Sequence, residues 1–285
     1  MELCLPDSTI LSDTDNGRSA IHRKPVLTRS KNMNHYVGIR LLSLMIGVLS
    51  LPCGALRGED LTDQQDPEDL ERELASLVME GTANSTDLTR LLRLAGLYLD
   101  LGYGLYVDRE QKLAAFQEGA RIAQKALDLR ESSADTHFLY AANLGQAVQL
   151  QGLVATALNL QTLKTHVNRV LELDEKHAPA HHMLGLMYEE LPWFLGGDQE
   201  AAGEHLLKAV SLDTHYVPGR FDLGKWYLKH GHPQEAAKEF IKVIKTPPLK
   251  KRWIWERIHR PQAEILLRQI RSLNPLVLQG EEKVR

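Results

Sequence analysis

The residues with most chemistry within reach of one another are three histidines, His177, His181 and His182, followed by two adjacent carboxylates, Glu189 and Glu190. His177 and His181 have the i, i+4 spacing that sets two metal ligands on one helix face. Pro179 falls at the helix start, however, and no acidic or cysteine ligand stands at a matching spacing, so the cluster does not read as a metal site. Neighbouring carboxylates on a helix point in different directions, and Glu189 and Glu190 read as solvated charge rather than as an acid/base pair. The two cysteines, Cys4 and Cys53, can build neither a disulfide framework nor a CxxC-type site. No phosphate-cradling glycine loop, GxSxG elbow or HExxH occurs. The expectation is a protein without catalytic residues, cofactor or metal. A net charge of −3 and a pI near 6.5 give no global attraction to nucleic acid.

The elements that hold these residues read as helices, since Leu and Ala are abundant and aromatics make up only 6% of the chain. The clearest pattern runs from Val217 to Pro248. Counted from Val217, Leu223 and Gly224 fall at 7 and 8, Tyr227 at 11, Gly231 at 15, Ala236 at 20, Phe240 at 24 and Pro248 at 32. This resembles the tetratricopeptide (TPR) family. Three earlier helix pairs share its registration. Their second helices carry Ala126, Val170 and Ala209 where the last has Val243, at spacings of 44, 39 and 34 residues. Their first helices are registered on Leu94-Ala95 with Tyr98, Ala141-Ala142 with Gly145, and Leu184-Gly185 with Tyr188. Only the last pair has the regular period, so the others carry insertions. One such insertion, Asp100-Leu101-Gly102-Tyr103-Gly104, reads as a glycine-rich turn. Another, Leu191 to Asp198, has Pro192 to end a helix, Gly196 and Gly197 to turn, and Asp198 to cap the next helix, with Trp193 and Phe194 expected as a plug packed on the array.

The predicted fold is all-α, a TPR-like α-solenoid of about four irregular helix pairs with a C-terminal capping helix. Residues 1–32 read as an upstream extension, 33–55 as a signal peptide and 56–65 as a flexible acidic linker. The helical domain spans 66–274, with pairs near 87–130, 135–174, 178–213 and 217–248 and the cap near 252–273; residues 275–285 form a tail. Nine carboxylates against Arg72 make Glu59–Glu80 acidic, whereas Leu249–Arg271 carries seven basic residues against Glu256 and Glu264. Opposite charge at the two ends of an array favours head-to-tail self-association, closing into a ring where the rotation permits, and the alternative is two separately solvated ends.

In the TPR family, first-helix positions 5, 9 and 12 line the inner groove. Here they are Leu139, Asn143 and Gln146; His182, Leu186 and Glu189; and Phe221, Lys225 and Leu228. A mixed groove of this kind can hold a peptide or helix of a partner protein. A competing reading encloses a small hydrophobic solute near Tyr98, Tyr103 and Tyr106.

Met33 opens a short basic stretch, an apolar run from Leu41 to Leu51 and small residues ending at Ala55, the layout of a secretory signal, with lipid anchoring at Cys53 the lesser alternative. Together with Leu191–Val210, and on Gly196, Gly197 and Asp198 in particular, the chain resembles the T-component family associated with TRAP transporters. That resemblance implies a periplasmic, trimeric scaffold binding a solute-binding protein of the cell envelope. A similar Gly-Gly-Asp turn also occurs in the microtubule-regulator family of TPR-like proteins, so the turn marks a shape rather than a task.

Overall fold

A computed structural model describes residues 66–273; the upstream extension, signal, linker and tail expected at 1–65 and 275–285 lie outside the described residues. Every regular element among the described residues is helical. The long helices are α1 (Pro67–Met79), α2 (Leu88–Gly104), α3 (Arg109–Leu129), α4 (Ala134–Gln151), α5 (Leu153–Leu173), α6 (Ala178–Glu190), α7 (Gln199–Leu212), α8 (Val217–Lys229) and α9 (Pro233–Lys245). A short α10 (Arg252–Ile254) continues through a π-helical turn (Trp255–His259) into α11 (Arg260–Leu273). The chain is thus a TPR-type helical repeat protein: α2/α3, α4/α5, α6/α7 and α8/α9 pack as pairs, and the first helices also meet one another, α2 with α4 and α6 with α8.

The helix starts are set by short polar side chains. Asp87 accepts from the Thr89 and Arg90 amides, Asp108 from Gln111, and Asp198 from Glu200 and Ala201. At α1 the proline does this work by itself, because the Asp66 side chain makes no cap bond. Gly81, at φ 68°, ends that helix. Within pairs, missing Cβ atoms bring backbones together: a Cβ on Gly185 would lie 2.8 Å from Leu206, and one on Gly224 2.7 Å from Phe240.

Three expectations change here. Asp100–Gly104 is not a turn; α2 runs through it, because Gly102 makes room for Phe116 and Gly104 for Trp253. The chain turns at 105–108 instead. Second, the second pair is registered one residue earlier. His137, His181 and Arg220 each bond to a carbonyl six residues back (Glu131, Glu175, Thr214), and each reaches across its pair to His166, His205 or Glu239. These are equivalent places, so Ala141 aligns with Gly185 and Gly224. Third, Trp193 and Phe194 do not plug the array; they are 84% and 67% exposed and touch each other edge-on.

The C-terminal segment does more than cap the last pair. Trp253 and Ile254 join Leu70, Leu97 and Leu101 in one core cluster, so the chain's last segment packs on its first helices. Lys251, in a left-handed conformation (φ 56°), reaches Asp100 at 2.6 Å. Trp255 donates its indole N–H to the Val243 carbonyl at 2.7 Å and is flanked by Arg252 and Arg260. The last described segment therefore packs on the first described helices through apolar side chains and one ion pair.

Candidate partner-binding face

The first-helix residues separate into buried and accessible sets. Asn143 is fully buried, its amide donating to the Ala95 and Leu139 carbonyls, and a Cβ on Gly119 would overlap it. It stands one place off the expected register, as do Leu139 and Gln146, both half-buried. Leu186 is also half-buried. Phe221 is buried against Phe240 and the edge of the His259 ring, while Lys225 is exposed and Leu228 half-buried.

The centre of this face is a polar lock. His182 Nδ1 lies 3.0 Å from the Tyr216 hydroxyl, which donates to it, and His182 Nε2–H donates to Asp222 at 2.9 Å. Lys225 holds the other Asp222 oxygen at 2.8 Å. Burial works to raise the Asp222 carboxyl, but hydrogen bonding to His182 and the charge of Lys225 outweigh it and bring the pKa down to about 2. Tyr103, from the first pair, meets His259 Nε2 at 3.2 Å, and burial with the Asp222 charge pushes its phenol up to about 12. Burial lowers His259 to about 4, offset in part by Asp222. A Tyr–His–Asp series has the outline of a nucleophilic relay. Burial raises the Tyr216 phenol far above neutrality, so it stays protonated and serves as a donor.

The three neighbouring histidines are drawn apart. His177 caps α6 through Nδ1, accepting from Ala180 at 3.1 Å; His181 pairs with His205 at 3.0 Å; His182 belongs to the lock. Glu189 binds Lys229 on α8, and burial raises the Glu190 carboxyl. Tyr98, Tyr103 and Tyr106 are also divided, Tyr98 packing with the α2/α3 core, Tyr106 beside Trp253 and Ile254, and Tyr103 on His259. What stays open is a cleft of about 250 Å³ between α8 and α11, lined by Phe221, Lys225, Gln262, Ile265 and Leu266. Its α11 half had no sequence signal, because that segment was expected only to cap the array.

The family model described as Regulator of microtubule dynamics protein 1-3 matches residues 58–191, just under half of the chain. Regulator of microtubule dynamics protein 1 of Mus musculus is 27% identical over 179 residues, covering 57% of this chain and 59% of that protein. The Pongo abelii protein of the same name is 27% identical over 207 residues, covering 66% of each. The chain thus spans about three-fifths to two-thirds of the length of these relatives. Among solved structures, TTC0263, a thermophilic TPR protein of Thermus thermophilus, superposes with a TM-score of 0.52 at 16% identity, over 70% of this chain and 92% of that one. At that identity the likeness shows the fold.

These findings correct two expectations. The family-level match is to the microtubule-regulator proteins and not to the T-component family; the turn of Gly196, Gly197 and Asp198 lies just past the matched span. The relatives come from animals, whose cells have no periplasm, so the bacterial periplasmic location is overturned.

Proposed function

We propose that the chain is a non-enzymatic interaction scaffold that seats a segment of another protein on its first-helix face and, by its likeness to Regulator of microtubule dynamics proteins 1 and 3, works in the control of microtubules. The observation that carries the reading is the cleft between α8 and α11. Phe221, Ile265 and Leu266 give it apolar sides and Lys225 adds a charge, the composition of an anchor pocket for one apolar side chain of a bound helix or extended segment. The neighbouring lock of Tyr216, His182 and Asp222 keeps α6 and α8 in place beneath it.

The test is capture from cells with the full chain, comparing wild type with Lys225→Glu and Ile265→Ser, both at exposed positions. A specific protein, lost about tenfold or more with either variant, supports the reading. Capture of the same proteins by all three chains would end it.

A further inference from the structure

A second surface lies on a different edge of the molecule and does not depend on the cleft. Six large apolar side chains stand 67–87% exposed where the first helix of a pair turns into the second: Val107 in the first pair, Leu153, Val154 and Leu158 in the second, Trp193 and Phe194 in the third. Hydrogen bonds join these turns into one edge. Arg109 donates to the Leu150 carbonyl, Gln149 approaches Glu190 at 3.5 Å, and Lys164 approaches the Leu195 carbonyl at 3.4 Å. These are the pairs whose spacing exceeds or whose turn departs from the regular repeat. The regular fourth pair turns through Gly231 and His232 with no large apolar side chain. Turns normally carry polar residues, so a row of this kind needs a cover.

The charges around the row indicate what covers it. Glu110 and Glu200 stand exposed at the starts of α3 and α7, whereas Arg109 and Lys164 are turned onto main-chain carbonyls. Two copies of the row facing each other would bring these carboxylates together, and an anionic lipid surface would be repelled. We propose that this turn-side row is a docking surface for an amphipathic helix of a partner protein, with an apolar stripe flanked by lysines or arginines.

The experiment measures anisotropy of a fluorescent helical peptide of about 20 residues, built from leucine and lysine with one apolar face, against the full chain. Its counterpart has glutamate for every lysine. The lysine peptide should bind at least about tenfold tighter than the glutamate peptide, and rising salt should narrow the gap. Trp193→Ser with Phe194→Ser, and separately Leu158→Ser, should weaken it about tenfold. Equal binding of both peptides, or undiminished binding by both row variants, overturns the proposal. So does row-dependent sedimentation with phosphatidylcholine vesicles in the absence of peptide binding. Failure of the cleft variants in cell capture would leave this result untouched.

Discussion

At the scale of single residues, the polar lock ties stability to pH. His259 titrates near 6.5 in an unfolded chain and is lowered to about 4 by burial in the fold, so the unfolded state binds its proton first. Stability is therefore full above about pH 6.5 and falls as the pH drops towards 4, by about 3 kcal/mol from this group. His166 and His205, lowered first by burial and then by their partner histidines, steepen the loss. Urea titrations between pH 7.5 and 4.5 should show the decline, and His259→Gln should flatten it; an unchanged slope would place the acid sensitivity elsewhere. A second residue-scale outcome concerns Gly197, where an added Cβ would sit 1.7 Å from the Leu191 carbonyl oxygen. Because the obstacle is backbone, Gly197→Ala should lower the unfolding free energy by about 2 kcal/mol or more, whereas Gly96→Ala, with open space around it, should raise it slightly.

At the scale of elements, one place recurs in all four pairs with different chemistry. It is apolar in the first (Leu91, Ile122), histidine facing histidine in the second and third, and an ion pair in the fourth, Arg220 to Glu239 at 2.7 Å. Carbonyls only accept, so His137 and His181 must carry their protons on Nε2, towards Glu131 and Glu175, and accept at Nδ1 from His166 and His205. Two charged rings would face N–H to N–H. The apolar version shows that the place does not require charge. Arg220→Met alone should cost about 1–3 kcal/mol, because Glu239 loses its buried partner and keeps only the half-exposed Lys242 at 2.7 Å, while Arg220→Met with Glu239→Leu should come back close to wild type. Chemical denaturation of the two singles and the double reads this coupling directly. The repeated pattern was partly legible: the helix pairs and the Val170, Ala209 and Val243 registration were plain in sequence. The one-residue slip in the second pair was not, because Ala141 and Ala142 are equally small and only packing decides which faces the second helix.

At the scale of the whole molecule, the last segment closes back on the first. Trp253 on Gly104, Ile254 in one cluster with Leu70, Lys251 on Asp100 and His259 on Tyr103 join places more than 140 residues apart in sequence. Trp253→Ala should cost about 3–5 kcal/mol, and hydrogen exchange should quicken in α1 and α2 as well as in the C-terminal segment. Faster exchange in the C-terminal segment alone would mean that the closure contributes little to the first pair.

The amino-acid sequence by itself determined the all-helical repeat, the pair count, most helix starts and the last, regular pair, since helical periodicity and capping are local. Where its small residues served contacts between helices it misled: Gly102 and Gly104 looked like a turn because a missing Cβ serves close packing as well as bending, and the ring partners come from other elements, Phe116 from the next helix and Trp253 from the C-terminal segment. Only the tertiary structure decided that the three neighbouring histidines serve separate purposes, that Asn143 is internal, that the two ends meet within one chain, and that Trp193 and Phe194 stand in water. The physical reason is the same for each. Which face a side chain presents follows from helix register, but what covers that face depends on the angle at which the next element arrives, and no local pattern encodes that angle.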